Sequence, residues 1–488
     1  MEINELTPAE LQVWHAFPRG EVVDFRPDAE EDAATGAGWG PERTLRASVL
    51  KALLVSAPQE DGEIAALRVL GARITGALDL THAVIDHPIR LSHCHFTDPP
   101  DLYGTQLRRL SLRGSALPAL DLGSAHIDGV VQLSECRVRG RISLRGAQIS
   151  GALLLERAEL TARDDDGEPV LELTHAAIGD ELRATGLRAT GEVRLNGAHV
   201  SGSIRLDGAR LSRPGQVALD AITLGVDGDV LLRRADVDGW IGLRGARIAG
   251  RLDLSYARLS NPGDMVLRAT SCTVGELWLR RGDPLDGGLN LRRAQIDVLF
   301  VEPEKLPDRV RLDGLGYTTL TPHEPAERRL PMLEREIDGY VPHVYEQLTA
   351  VYRRIGDDNA ARLVQLAKQR RHRTTLPWYG RLWGHVQDAT VGYGFRPMRA
   401  LGWLLSLLAV GSLSFALHAP PPLKADEAPD FNPVFYTLDL LLPVISFGQE
   451  PAFAPEGGQQ WLSYVLVLTG WILATTVIAG VTRTVSRQ

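Results

Sequence analysis

The chain has 488 residues, enough for two to four structural units. Apolar residues make up 44% and charged residues 23%, as in a folded chain, and three cysteines are too few for a disulfide framework. A formal net charge of -8 excludes nucleic-acid binding driven by overall positive charge, so no nucleic-acid partner is expected.

The first residues, MEINELTPAE, lack an apolar core, so no signal peptide is expected. Thr7-Pro8-Ala9-Glu10 has the form of a capping box with proline at the first helical position, ahead of Leu11, Val13, Trp14 and Phe17. A second helix is expected from Pro41, with Leu45, Val49, Leu50, Leu53 and Leu54 on one face. Between them Gly36, Gly38 and Gly40 follow no strand, so the cluster reads as a loop and not as a phosphate cradle. Residues 1–66 are expected to form a helical N-terminal cap over the first coil of a repeat region that begins near Leu67.

From about Leu67 to Leu312 an eleven-residue phrase recurs. Ile241, Leu243, Ala246 and Ile248 return as Leu252, Leu254, Ala257 and Leu259. Ile142, Leu144, Ala147 and Ile149 return as Leu153, Leu155, Ala158 and Leu160. A fixed period of this kind marks a solenoid. Apolar residues two apart share one side of a strand, and the gaps are too short for helices. Each phrase predicts two very short strands and two turns, and two phrases close a coil of 22 residues. Leu144, Ala147, Ile149, Leu243, Ala246, Ile248, Leu254 and Ala257 are expected in the core. Glycines 129, 140, 151, 239 and 250 are expected at corners with positive φ. Nine or ten coils would stack into a rod of about 45 Å. The extra residues at 161–169, 212–216 and 260–264 carry Pro, Gly or Asp and read as corner loops.

Residues 321–339 are rich in proline and charge and read as a linker. A helix over 341–355 ends at Gly356, and Asp357 or Asp358 caps a second helix reaching about Arg373. Lys368, Arg370, Arg371 and Arg373, followed by Trp378, Tyr379 and Trp383, precede two uncharged apolar runs at 400–417 and 461–482. Each run approaches the roughly 20 residues a helix needs to cross a bilayer. Basic side chains beside a span are drawn to anionic headgroups at about 1 kcal/mol each, and Trp and Tyr favour the interface. These seven residues are the expected membrane-surface set, with lipid as partner. The stretch 418–460 holds Asp426, Glu427, Asp430, Asp439, Glu450 and Glu456 against Lys424, while Arg396, Arg399, Arg483 and Arg487 lie at the opposite ends of the two runs. The positive-inside rule then predicts a multi-pass inner-membrane protein with its repeats and C-terminus in the cytoplasm. Residues 435–447 are strongly apolar yet too short to span, and read as interfacial or re-entrant.

The repeat units resemble those of pentapeptide-repeat proteins, in which Ala and then Leu recur two apart every five residues; here steps of five and six alternate. The full layout is repeats, then YEQLTAVYRRIGDDNAARLVQLAKQRR, then two apolar runs. Over essentially the whole chain it resembles a group of actinobacterial membrane-anchored repeat proteins. The resemblance implies a right-handed β-solenoid tethered to a membrane. Members of the group are sometimes labelled membrane-associated oxidoreductases.

Cys94 and Cys136 occupy the alanine slot of a unit and Cys272 another inward slot; without a CxxC spacing they read as packing residues. In His93-Cys94-His95 the side chains alternate in direction, so they cannot share one ion. His82 and His87 read as surface residues. Thr390-Val391-Gly392-Tyr393-Gly394 spells a potassium filter, but it precedes the first apolar run and reads as an interfacial turn. No HExxH, P-loop, nucleophile elbow or strand-borne GxGxxG occurs, so no catalytic residue, metal or cofactor is assigned. The sequence thus predicts a β-solenoid at 67–320 behind a helical N-terminal cap, a linker and helical hairpin at 321–375, and a two-helix transmembrane anchor at 376–488. Its expected role is a membrane-tethered scaffold for an unidentified protein partner, with oligomerisation left open. Two other roles stand beside it: an oxidoreductase, implied by the family label alone, and a two-span channel or transporter, suggested by the apolar runs, 435–447 and Asp439.

Overall fold

The computed structural model describes residues 5–28, 31–56, 64–163, 167–280, 285–381, 384–385, 397–424, 428–442 and 445–485. The chain divides into two units, Met1–Gln347 and Leu348–Gln488. The first is a β-solenoid of about 11 turns. A typical coil has four short strands: His126–Ile127, Val131–Gln132, Arg137–Arg139 and Ile142–Ser143. The first two extend one parallel sheet and the last two another. His126 pairs with Gln148, Val131 with Leu153 and Arg137 with Glu159, so the ladder closes every 22 residues and one phrase is half a coil.

One inward column shows how the interior is built. Leu67, Ile89, Leu110, Val131, Leu153, Leu182, Ile204, Val230, Leu252, Leu277, Leu299 and Leu320 pair each with the next. All twelve are buried. Leu144, Ala147, Ile149, Leu243, Ala246, Ile248, Leu254 and Ala257 are buried in neighbouring columns. The void among the coils from Leu195 to Leu267 measures about 10 Å³ and is lined only by Leu, Ile, Val and Ala. A cavity that small has at most the room of one water and offers it no polar partner. Eleven steps at strand spacing make about 53 Å, longer than the sequence suggests. The ladder continues beyond Leu312 through the strand Gly316–Thr321.

The corners differ from expectation. The Ala147 N–H donates to Leu144 O at 3.0 Å across Gly146, whose φ is +66°, as in a type II turn. Of the five glycines expected to be left-handed, only Gly140 and Gly239 have positive φ. Gly151 instead permits close stacking of coils, since a Cβ there would lie 2.9 Å from the carbonyl of Gly129. The left-handed slot is often filled by other residues, among them His82, Ser124, Glu135, Arg157 and Thr223.

All three insertions fall at one corner, between the third and fourth strands of a coil. The latter two are not separate loops. Arg210–Asp220 and Arg258–Arg268 run as continuous strands with register shifts. Pairing survives on both sides, Leu211 with Val237 and Leu219 with Ile241, because the extra residues bulge outward at Pro214-Gly215 and Pro262-Gly263.

Both solenoid ends are capped. Helix α1, Pro8–Ala16, starts at a complete Thr7–Glu10 capping box. The second helix, α2, spans Ala47–Ser56 and does not begin at Pro41. Pro41–Arg43 is a 3-10 turn, and Thr44–Arg46 is a strand paired with Arg73–Thr75. The open edge of the first coil needs hydrogen-bond partners, and that demand overrides helical periodicity. Residues 33–38, read as loop, form a 3-10 helix. The stretch read as a linker holds α3, Ala326–Glu334, which closes the other end. Arg329 is 1% exposed and donates to Val301 O at 2.7 Å and Pro322 O at 2.6 Å. Buried Glu336 accepts from Leu312 N at 2.6 Å.

Helices α4, Pro342–Arg354, and α5, Asp358–Arg373, come next in the chain. Gly356 takes φ +81° between them, and Asp357 caps α5 through Ala360 N at 2.9 Å. Gln365 donates to Thr349 Oγ1 at 3.0 Å across the pair. The second unit also holds α6, Pro397–Leu417, α7, Pro433–Leu441, and α8, Gly458–Val485. Side chains of α6 and α8 are described chiefly over 401–417 and 458–473, and among the described residues no helix is long and apolar enough to cross a membrane.

Candidate functional sites

The outer faces of the solenoid carry charge ladders. Glu135 pairs with Arg113 at 3.2 Å and with Arg157. Glu159 sits between Arg137 at 3.2 Å and Arg188 at 2.8 Å. Arg233 makes a two-pronged contact with Asp207 at 2.8 and 2.9 Å, and Arg145 and Arg244 are exposed. Exposed pairs of this kind are worth about 0–1 kcal/mol each, so they solvate the surface more than they stabilise it.

The insertion corner breaks this regularity. A cleft of about 420 Å³ opens there, lined among others by Arg141, Arg163, Glu168, Thr190, Arg213 and Gln216. Glu192, 3% exposed, holds Arg194 and Arg213 at 2.5 Å each. Arg141 lies 3.1 Å from Glu168 and 3.7 Å from Glu172. The floor is Gly191, at φ +135°, where a Cβ would meet Val170 Cγ1 at 2.5 Å. The cleft therefore presents guanidinium groups of Arg141 and Arg213 already paired with carboxylates, around Gly191.

Cys94, Cys136 and Cys272 are at most 2% exposed, and burial pushes all three thiols up to about 12. His93 and His95 part company. His93 occupies a left-handed turn position at φ +51°, and its pKa is lowered first by burial and then by Arg26 and Arg113. His95 Nδ1 lies 3.0 Å from Ala33 O in the N-terminal cap. His82 packs edge-on to Tyr103, and His87 to Phe17. Among the described residues no group of three or more His, Cys, Asp or Glu is placed to hold a metal ion.

Of the membrane-surface set, Lys368, Arg370, Arg371 and Arg373 lie on α5, the last three in its final turn, where cations suit the negative end of the helix dipole. Trp378 is 75% exposed and Tyr379 is also exposed. Trp383 and Thr390–Gly394 lie outside the described residues.

The second unit contains a constellation of which the sequence singled out only Asp439 and the apolar stretch 435–447. Asn432 caps α7 through Val434 N at 3.0 Å, with Pro433 in the first turn. Phe415, Tyr436, Leu440, Leu441, Phe453 and Leu466 form a buried cluster around it. Two glycines make room for it: a Cβ on Gly411 would lie 2.4 Å from Thr437 Cγ2, and one on Gly470 2.4 Å from Leu441 O. Asp439, buried, accepts backbone N–H groups from Phe447, from Gln449 at 2.7 Å and from Glu450 at 3.1 Å. Its carboxylate thus folds the next segment of chain back against α7. Asn432 followed by proline was a readable helix start; the clasp spans eight to eleven residues and leaves no local pattern.

No family model matches the chain, and neither curated proteins nor solved structures give a match.

Proposed function

We propose that this chain is a membrane-tethered scaffold whose solenoid binds a protein partner. The observation that carries the reading is the buried apolar column along the solenoid, with a void of only about 10 Å³ among the coils from Leu195 to Leu267, which favours recognition on the outer surface. The insertion cleft is the binding region we favour. Tethering is supported by large apolar side chains standing exposed on α6 and α8, including Leu405, Val410, Leu413, Trp461, Leu468 and Trp471. Such a belt is uncommon on a water-facing surface. The uncharged runs 400–417 and 461–482 have about the length of a bilayer core. In this reading α6 and α8 are the two transmembrane helices, the basic end of α5 with Trp378 and Tyr379 sits at headgroups, and both termini are cytoplasmic. The resemblance to actinobacterial membrane-anchored repeat proteins supports the same layout, whereas no described residue supports the oxidoreductase label.

The test is co-purification of the full-length protein from detergent extracts of cross-linked cells, beside a variant carrying Arg163→Glu and Arg213→Glu. Carbonate-resistant membrane association and a stoichiometric partner lost in the variant are expected. Release by carbonate, absence of any partner, or a stoichiometric flavin, haem or metal in the pure protein overturns the reading.

A further inference from the structure

The return segment after α7 has no role in a passive tether. Leu441 reaches the level of Gly470, twelve residues into α8 and so about 18 Å along its axis. Asp439, one half-turn earlier, then holds residues 447–450 beside α7. In a trans peptide each carbonyl points opposite to the next N–H. The three N–H groups turned toward Asp439 therefore turn the carbonyls of Ser446, Gly448 and Gln449 away from it. Gln449 O accepts from Ala452 N at 3.2 Å, but among the described residues no donor reaches Ser446 O or Gly448 O. Ile445 is 54% and Phe447 44% exposed, and Ser446 and Gly448 are exposed beside them.

A non-helical backbone at such depth persists only where protein covers it or where it lines a water-filled cavity. One chain gives Gly448 a cavity of about 520 Å³ shared with Lys424, Ala428 and Pro429 but leaves Ile445, Ser446 and Phe447 exposed, and several copies around an axis provide the missing cover. Resting on the proposed membrane reading, we propose that residues 445–449 of several copies line a pathway for small monovalent cations. Ile445 and Phe447 pack against the neighbouring copy, and the free carbonyls replace water around the ion. The C-terminal end of α7 directs its negative partial charge to the same level. A ring of uncharged carbonyls suits monovalent ions, because a small divalent ion such as magnesium gives up its water reluctantly.

The test uses full-length protein reconstituted into vesicles of phosphatidylethanolamine and phosphatidylglycerol, with radioactive rubidium as the probe. An oligomer and rubidium uptake well above that of empty vesicles are expected. Asp439→Ala should bring uptake to background. Ser446→Cys should conduct until a methanethiosulfonate reagent blocks it, whereas the wild type, with its three buried thiols, should ignore the reagent. Carbonate-resistant protein that is monomeric and passes no rubidium overturns this inference and leaves the tether standing. Uptake of chloride without rubidium overturns the cation assignment, uptake by Ser446→Cys that the reagent does not block removes the segment from the pathway, and release by carbonate removes both readings.

Discussion

Truncating Leu153 to alanine probes the stacked interior. Leu153 is fully buried and pairs in register with Val131 and Leu182 on the adjoining coils. The change removes three carbon atoms, about 2.4 kcal/mol at ~0.8 kcal/mol per methylene. A cavity contribution adds to this wherever the surroundings cannot close in. Here the ladders hold adjoining coils at about 4.8 Å, so little collapse is available. The total should be about 4 kcal/mol, in the upper part of the range for Leu→Ala. Leu320→Ala is the internal comparison: it ends the column at 9% exposure and should cost about 2 kcal/mol. Hydrogen exchange read by mass spectrometry on the full-length protein reports both. Amides around Leu153 should exchange about 10³-fold faster in the first variant, since each 1.4 kcal/mol is tenfold. Equal costs at the two positions, or less than about 1 kcal/mol at Leu153, would refute the idea that coils clamp their own interior.

Three further outcomes are expected. Burial raises the Glu10 pKa, but hydrogen bonds from the Arg46 side chain and from Thr7 and Arg46 N–H outweigh it and hold the group at about 2, below its ordinary 4.5. Because the folded value is depressed, this contribution is complete above pH 4.5 and disappears as pH falls toward 2; exchange in the N-terminal cap should rise over that window, and Glu10→Gln should remove the dependence, so an unchanged acid transition in the variant rejects the assignment. With all three thiols pushed to about 12, a disulfide reagent at pH 8 should titrate none in the native protein and three after denaturation; reaction of any native thiol contradicts the packing described. Arg329→Met leaves the buried Val301 carbonyl and the part-buried Pro322 carbonyl without their donor and should cost about 3 kcal/mol, read as protease cleavage appearing between 301 and 336 before the rest of the solenoid is cut.

The solenoid was legible because its interior repeats. Leu144, Ala147 and Ile149 recur at a fixed interval, and a filled column tolerates few other residues. The left-handed corners were not legible, because a neighbouring coil holds that conformation whichever residue occupies it. His82, Glu135 and Arg157 adopt φ of +51° to +62° without a glycine to signal it. Leu45 to Leu54 misled for the opposite reason: the pattern is helical, but its first residues are needed as an edge strand. In 321–339, proline and charge concealed a cap, since Arg329 and Glu336 act through backbone atoms distant in sequence. The Asp439 clasp was hidden likewise. An aspartate within an apolar run could be noticed, but the N–H groups it gathers belong to any sequence that turns back at that point.

The 22-residue closure has a consequence for length. Deleting or duplicating one coil, such as 129–150, leaves every cross-section alike and moves the far end by about 4.8 Å. The solenoid is in this sense a ruler graduated in coils. A partner seated at the insertion corner stands a whole number of graduations from either cap, and its distance changes only in unit steps.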